Sequence, residues 1–371
     1  MHLYIHVPFC ARRCSYCDFS IAVRRDVPVR DFVDGIAREI SIRSLGGETL
    51  ETLYCGGGTP SKLGAEGVLR LADVVGNRFT LSSGAEFTIE ANPEDVTPAS
   101  AAAWRRAGVN RLSLGAQSFN AGVLEWMHRT HTVDDVARSV GVARDAGIDN
   151  LSLDLIFALP ESLERDWRDD LDRALVLAPD HLSVYGLTVE RTTPLGRWMA
   201  RGEVRESPEE RWAMEFETAH AVLVQAGFAH YEVSNYAREG RRARHNEAYW
   251  LDHAYHGLGP SAHGFDGTRR RWNEPAYARW LARVVSGEDP VAGSELLTPE
   301  ERIAERVYLG LRTDRGLPLE PDEISSAALW VEQGWGTVNS RHESRSLVLS
   351  SSWWMRLDAI ATALTALRSR Y

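Results

Sequence analysis

A regular alternation of short apolar segments and longer amphipathic segments runs through the first 240 residues of this chain. The short segments are rich in β-branched and aliphatic residues, and the segments between them have the spacing of amphipathic helices. The short segments are "HLYIHV", "TLYC", "EFTIEA", "NRLSLG", "NLSLDLIF" and "HLSVYGL". Six consecutive strand–helix units predict an α/β protein with one parallel sheet, as an open sheet or a barrel.

Three of these segments share a short pattern, Leu-Ser-Leu at 112–114 and 151–153 and Leu-Ser-Val at 182–184. We expect them to be equivalent strands of the same sheet. Ligands of such sheets bind at the carboxyl ends of the strands, so residues that directly follow the strands are predicted to form the functional site.

The length of 371 residues exceeds what a single core usually reaches, which predicts more than one domain. From Leu297 the segment "TPEERIAERVYLGL" has the pattern of a helix with Pro299 near its start. We therefore expect a barrel over 1–235, a further region and linker over 236–296, and a small, mainly helical C-terminal domain over 297–371.

Composition limits the class of protein. The net charge of -10 argues against a general nucleic-acid binder, and no apolar run is long enough to span a bilayer. The first residues show no removable leader. These features predict a cytoplasmic protein that is not an integral membrane protein, and they leave peripheral membrane contact and a homodimer open.

Three of the four cysteines, Cys10, Cys14 and Cys17, lie within eight residues directly after the first predicted strand. Three thiolates suit a four-iron cluster with one iron left open. A thioredoxin-like pair at Cys14 and Cys17 and a zinc site are the alternatives. The fourth, Cys55, precedes "GGGTP" at a sheet position that suits an apolar residue, and it is expected to be a small buried side chain. As a fourth ligand it would instead close the open iron.

Several motifs of this chain resemble, in order, those of the HemN/HemW family of the radical S-adenosylmethionine (SAM) superfamily. They are "YIHVPFC", "YCDF", "GGGTPS", "EANPE", "RLSLGAQSF", "LDLIFALP" and "EVSNYA". The resemblance implies a partial (β/α)6 radical SAM barrel. It also implies a 4Fe-4S cluster whose open iron binds SAM, and reductive cleavage of SAM to a deoxyadenosyl radical.

The same resemblance implies roles for individual residues. The cluster ligands would be Cys10, Cys14 and Cys17. The side chains and backbone groups that bind the cofactors would come from several motifs, namely Tyr4, Tyr16, Gly57, Gly58, Thr59, Glu90, Gln117, Arg129 and Asp154.

The segment "HNEAYW", from His245 to Trp250, matches the HNxxYW motif that is associated with heme in HemW-type members. A neutral imidazole is a common axial ligand of heme iron. His245 is therefore predicted to ligate heme iron, while Tyr249 and Trp250 pack on the macrocycle. Without the family, a core histidine packed against aromatic residues is the simpler interpretation.

Other residues near this motif are predicted to assist. Arginine side chains can pair with the two propionates of heme. The candidates are Arg241, Arg242 and Arg244, and the alternative iron ligands are His253, His256 and His263.

Two types of family member must be separated. HemN-type members carry a further cysteine two residues after the third, where this chain has Phe19, and an N-terminal extension, whereas this chain starts nine residues before Cys10. These differences favour a HemW-like heme chaperone that binds heme and transfers it to acceptor hemoproteins such as respiratory cytochromes. The alternative is a radical SAM enzyme of the oxygen-independent coproporphyrinogen III dehydrogenase type, an activity that we do not expect.

Overall fold

The computed structural model describes residues 1–341 and 344–368. It contains seventeen strands within these residues, numbered here in chain order. They are β1 (His2–Val7), β2 (Phe9–Cys10), β3 (Ala22–Val23), β4 (Thr49–Gly57), β5 (Thr80–Ala91), β6 (Arg111–Gln117), β7 (Asn150–Phe157), β8 (His181–Gly186), β9 (Ala229–Glu232), β10 (Asn235–Ala237), β11 (Tyr255–Leu258), β12 (His263–Phe265), β13 (Arg269–Asn273), β14 (Val291–Leu296), β15 (Leu317–Pro318), β16 (Gly336–Arg341) and β17 (Ser344–Leu349).

Twelve of these strands form one sheet in the order β14-β13-β12-β11-β1-β4-β5-β6-β7-β8-β10-β9. The six strands β1, β4, β5, β6, β7 and β8 pair in parallel, and they are the six segments predicted from the sequence. The expected α/β architecture with six parallel strand–helix units is confirmed.

The repeated Leu-Ser patterns lie in three neighbouring strands, as expected. Leu112 is opposite Leu151 in the pairing of β6 with β7, and Leu153 is opposite Leu182 in the pairing of β7 with β8. The third pattern is thus shifted by two residues, which keeps its apolar side chains on the same face of the sheet.

Fourteen α-helices are found in the described residues. They are α1 (Val29–Ile42), α2 (Gly64–Gly76), α3 (Pro98–Arg106), α4 (Ala121–Trp126), α5 (Val133–Asp145), α6 (Trp167–Val176), α7 (Pro194–Ala200), α8 (Glu209–Gln225), α9 (Arg244–Trp250), α10 (Tyr277–Val285), α11 (Pro299–Leu311), α12 (Ile324–Glu332), α13 (Ser351–Trp354) and α14 (Leu357–Arg368).

Local sequence explains where several helices begin. Thr97, Thr132 and Thr298 each accept a hydrogen bond from the backbone N–H three residues later, and the side chain at that later position bonds back to the threonine N–H. Such capping boxes satisfy backbone groups that a helix leaves unpaired at its start. Apolar faces of α1, α2 and α3 then pack on the sheet in one core with strand residues such as Leu53 and Ile89.

The region over 236–296 extends the sheet on the other side of β1. Strand β11 pairs in parallel with β1, and β12, β13 and β14 follow in antiparallel order.

A buried carboxylate ties this region to the first helix. Glu39 on α1 is fully buried, and its Oε1 accepts hydrogen bonds from Arg43 Nη1 at 3.0 Å and Asn273 Nδ2 at 2.7 Å. Its Oε2 accepts from Gly259 N and Trp280 Nε1, both at 2.9 Å. One donor at the end of α1 and three donors from the region over 236–296 therefore meet on the Glu39 carboxylate.

The C-terminal residues from 297 onward are mainly helical, as expected. They also contain a three-stranded antiparallel sheet in the order β15-β17-β16, which the sequence patterns did not predict. Among the described residues, no helix has the length and apolar content needed to cross a bilayer.

Candidate functional site

A cavity of about 540 Å³ opens at the carboxyl ends of the parallel strands. Cys10, Cys14 and Cys17 all line it, together with the glycine-rich segment after β4. The prediction that residues following the strands would converge is therefore confirmed for this group.

The three cysteines lie on a loop over residues 11–21 and at the strand end before it, and none of the described residues of this loop is helical. Cys10 Sγ lies 3.3 Å from Thr59 Oγ1, and Cys14 Sγ accepts a hydrogen bond from Arg129 Nη1 at 3.5 Å. Burial raises the pKa of Cys10, and it raises the pKa of Cys17 to about 11. Buried thiols with this environment need positive charge, such as that of iron, to become thiolates.

The alternatives for the cysteine loop differ in the geometry that they need. Among the residues that the structure describes, no three His, Cys, Asp or Glu side chains form a group that could hold one metal ion. A four-iron cluster does not need such a group, because each cysteine then binds a different iron. The cluster at Cys10, Cys14 and Cys17 stays a prediction, as does the zinc alternative. The Cys14–Cys17 pair does not open a helix, unlike the pair of thioredoxin-like proteins.

Cys55 is separate from the other three cysteines. It is 1% exposed in the middle of β4, belongs to the main core, and does not line the cavity. Burial raises its pKa to about 12. The expected burial of Cys55 is confirmed, and the expectation that it binds no iron stays a prediction.

Glu90, at the end of β5, is held at the cavity wall by two donors. Its Oε1 accepts from the hydroxyl of Tyr54 at 2.8 Å, and its Oε2 accepts from the backbone N–H of Gly57 at 3.0 Å. Burial raises the pKa of Glu90 to about 7, even though these hydrogen bonds act in the opposite direction. A buried carboxylate of this kind is ready to bind a cationic group such as an ammonium.

The glycine-rich segment is required by close packing within the protein. A Cβ at Gly57, whose φ is +111°, would lie 2.5 Å from the His6 ring. A Cβ at Gly58 would lie 2.7 Å from the carbonyl oxygen of Pro8. Gly57 and Gly58, predicted to bind the cofactors, therefore also let the end of β4 approach β1 and the residues just before the cysteine loop.

Gln117, Arg129 and Asp154 line the same cavity, as does Tyr16. Arg129 Nη2 donates to Asn92 Oδ1 at 2.8 Å and to the carbonyl oxygen of Gly115 at 2.9 Å. These bonds orient the guanidinium between the cysteine loop and β6.

Asp154 accepts a hydrogen bond from Ser113 Oγ at 3.1 Å, and burial raises its pKa. Asn92 and Ser113 also line the cavity but were not predicted. Both lie within the quoted motifs, so their polar side chains beside predicted site residues were the available signal. Tyr185, at the end of β8, lines the cavity too and carried no such signal.

Tyr4 lies in a smaller neighbouring cavity of about 230 Å³, which shares Gly57 and Glu90 with the larger one. Its hydroxyl lies 3.2 Å from His6 Nδ1. Tyr249 of the HNxxYW segment lines this smaller cavity as well.

His245 lies at the start of α9 and is 1% exposed. Its Nδ1 is 2.6 Å from Thr52 Oγ1, and its Nε2 is 2.8 Å from the Tyr249 hydroxyl. Burial lowers the pKa of His245 to about 3. Both ring nitrogens are engaged in this conformation, so iron ligation by His245 would require these bonds to break, and it stays a prediction.

Trp250 faces a third cavity, of about 1080 Å³, between the end of α9 and the C-terminal elements. The structure therefore places His245 and Tyr249 in contact with each other and Trp250 at a separate cavity, rather than all three around one ligand. The arginines predicted to hold propionates already form ion pairs, Arg241 with Asp180, Arg242 with Asp314 and Arg244 with Glu51.

Sequence comparison identifies relatives of this chain. The profile of the radical SAM superfamily matches residues 4–174. "Heme chaperone HemW" from Synechocystis sp. is 38% identical over 323 residues, covering 85% of this chain and 78% of that protein. "Heme chaperone HemW" from Bacillus subtilis is 35% identical over 317 residues, covering 85% of this chain and 84% of that protein.

Structural comparison agrees on the fold. The coproporphyrinogen III oxidase HemN from Escherichia coli, described as a radical SAM enzyme, superposes with a TM-score of 0.80. The match covers 97% of this chain and 89% of that chain at 21% identity, which supports the fold alone. With the sequence relatives, these findings confirm the predicted resemblance, and the chain belongs to the HemW family within the radical SAM superfamily.

Proposed function

We propose that this chain binds heme and transfers it to acceptor hemoproteins, and that it holds a 4Fe-4S cluster and SAM in the 540 Å³ cavity. The observation that carries the proposal is the identity of more than a third to proteins named heme chaperone HemW, over 85% of the chain. This span is long enough to include both the cysteine loop and the HNxxYW segment.

The cavity fits the proposed cofactors. Cys10, Cys14 and Cys17 supply three thiolates, and a cluster bound there supplies an iron with an open position for SAM. Glu90 lies on the same wall, where its carboxylate can accept hydrogen bonds from the methionyl ammonium of SAM. Arg129, which donates to Cys14 Sγ, adds a positive charge that offsets the charge of the thiolates.

One side chain, Tyr54, contacts both the proposed heme motif and the wall of this cavity. The ring of Tyr54 stacks on His245 with 5.1 Å between ring centroids, while its hydroxyl donates to Glu90. Tyr54 on β4 thus contacts both Glu90 in the SAM wall and His245 at the start of α9.

The proposed function also includes the proteins that accept the heme and the compartment in which the transfer takes place. Respiratory cytochromes are suitable acceptors because they need heme delivered after synthesis of the polypeptide. We propose the cytoplasm as the compartment, because free thiols that ligate iron persist in reducing surroundings. Contact with a membrane surface and a homodimer are further expectations that the transfer experiment can include as variables.

A transfer experiment tests the proposal. The chain is reconstituted anaerobically with iron and sulfide, loaded with heme, and mixed with an apo-cytochrome whose heme-bound absorption spectrum is distinct. We expect saturable heme binding and a time-dependent gain of the acceptor spectrum. Absence of saturable binding would refute the proposal.

The alternative function, coproporphyrinogen III dehydrogenase activity, is assayed in the same preparation. Coproporphyrinogen III is incubated with the reconstituted chain, SAM and a reductant, and decarboxylated product is quantified. We expect SAM cleavage at most and no porphyrinogen turnover. Turnover at an enzyme-like rate, about one per minute or faster, would replace the chaperone proposal by the dehydrogenase.

A further inference from the structure

The third cavity, between α9 and the C-terminal elements, has the size of a cofactor site. Its volume of about 1080 Å³ is at the upper end of the range of small-molecule sites, roughly 300 to 1,000 Å³. The smaller cavity beside Tyr249 has only about 230 Å³. Trp250 is thus the residue of the HNxxYW segment that borders the larger space.

The walls of this cavity are largely apolar. Trp250 and Leu251 come from the end of α9, Ile303 and Leu309 from α11, and Leu317 from β15. A planar macrocycle gains affinity by covering such aliphatic and aromatic surface. The indole N–H of Trp250 is buried and has no hydrogen-bond partner among the described residues, so a donor is also available.

The carboxylates and the arginines on the cavity walls differ in whether they already have partners. The carboxylates are already satisfied, since Asp252 accepts from both Arg302 nitrogens at 2.7 and 2.5 Å, and Glu323 pairs with Arg368 at 2.7 Å. Glu320 is used in the cap of the short helix that follows it.

One of the three lining arginines is unpaired, and a second is paired at the surface. The guanidinium of Arg306 has no ion-pair or hydrogen-bond partner within the described ranges of the chain. Arg315 is half exposed and donates to Glu247 at 3.0 Å, a carboxylate that also lies 3.5 Å from Arg242. Two arginines at the rim of one apolar cavity can pair with two carboxylates of a ligand.

We propose that this cavity is the heme site, with the macrocycle against Trp250 and the aliphatic wall and the propionates at Arg306 and Arg315. The inference rests on the proposed function, since it takes heme as the ligand. None of the described residues that line the cavity is His, Cys, Met or Tyr, so heme bound here has no axial ligand from the walls. A free axial position on the heme iron suits heme transfer, because a histidine of the acceptor protein can bind the iron before this chain releases the heme.

The test uses the full chain and three probes, namely heme, iron-free protoporphyrin IX and heme dimethyl ester, whose propionates are blocked. Binding is followed by absorbance titration. In the unaltered chain, protoporphyrin IX should bind as tightly as heme, and the dimethyl ester should bind about tenfold more weakly.

Two variants locate the site. Arg306→Ala should weaken heme binding about tenfold while leaving binding of the dimethyl ester unchanged, because the lost partner is a propionate. Ile303→Trp should weaken all three probes by filling the cavity. The matched control is Arg106→Ala, an exposed arginine on α3 remote from the cavity, which should change nothing.

Failures of the two proposals are distinguishable. If heme fails to bind the unaltered chain saturably, the proposed function is wrong and this inference falls with it. If heme binds saturably but Arg306→Ala and Arg106→Ala bind it equally, heme lies elsewhere and only this inference is overturned. Should Ile303→Trp fail to fold, Arg306→Ala with the dimethyl ester still decides, because Arg306 is exposed.

Discussion

The Nε2 atom of His245 lies 2.8 Å from the phenolic oxygen of Tyr249, one helical turn further along α9. With Nδ1 bonded to Thr52 on β4, the imidazole joins the helix to the sheet. The two residues of the motif that most resemble heme contacts thus bond to each other.

We expect His245→Ala to lower the free energy of unfolding by about 2 kcal/mol or more, because it removes a buried side chain and the hydrogen-bond partner of the Tyr249 hydroxyl. The variant also removes one of the two imidazoles that bond to Thr52 Oγ1, and leaves His2 as the other. If heme occupies the cavity beside Trp250, as proposed above, the Soret maximum of bound heme should stay in place in this variant. Urea unfolding and absorbance spectra of the same preparation measure both effects.

A shifted Soret maximum in His245→Ala would restore this histidine as the iron ligand. His263→Ala is the comparison, because His263 is exposed and has no hydrogen bond from its ring to the described residues. A shift in that variant alone would place heme at the smaller cavity.

Cys14→Ser should remove the iron–sulfur cluster, whereas Cys55→Ser should retain it. Cys14 lines the cofactor cavity, and Cys55 lies in the core behind it. Iron and sulfide content after anaerobic reconstitution, together with the charge-transfer absorbance of the cluster, distinguishes the two variants. Loss of the cluster in Cys55→Ser with its retention in Cys14→Ser would contradict the ligand assignment.

Glu90 should make the stability of the cluster-free chain depend on pH. Its pKa of about 7 in the folded chain lies above its ordinary value of 4.5, so between these values the folded chain binds a proton that the unfolded chain has released. Stability from this group is therefore present below about pH 4.5 and is lost as pH rises toward and through 7.

The difference in unfolding free energy between the unaltered chain and Glu90→Gln isolates this effect from other titrating groups. We expect the difference to fall by up to about 3 kcal/mol between pH 4.5 and pH 8. Denaturant titrations at several pH values measure it. A difference that does not change with pH would mean that Glu90 titrates normally.

Glu39→Ala should lower the free energy of unfolding by roughly 3 to 5 kcal/mol, because it removes the carboxylate that pairs with the buried Arg43 and accepts hydrogen bonds from three neutral donors. Glu66→Ala is the matched control, since Glu66 is 86% exposed and only 3.8 Å from Arg70. Its effect should be below about 0.5 kcal/mol. Equal effects from the two substitutions would show that the buried network contributes nothing specific.

The parallel half of the fold could be predicted because its strands carry local signals. Leu112, Leu151 and Leu182 belong to repeated patterns whose period suits a strand, and the polar residues after them converge in the cavity as topology requires. The cysteine loop was recognisable for the same reason, since its chemistry lies within eight residues.

Long-range pairing carried no such signal. The segment "YHGL" carries no local signal that β11 lies beside β1, because its partner strand is more than 250 positions away in the chain. The burial of His245 was also not visible from its motif, since Thr52, which bonds it, comes from β4. The small sheet of the C-terminal elements was missed because its strands are short and polar, with few β-branched residues.

The position of β1 between β4 and β11 has a consequence for biosynthesis. Strand β1 gains its second neighbour only when residues 255–258 have been made, and the donors to Glu39 at 259, 273 and 280 come later still. Until then one edge of β1, directly before Cys10, is open to other strands. Assembly of the iron–sulfur centre during translation would thus take place on an unfinished support, so cluster insertion is best timed after the chain is released.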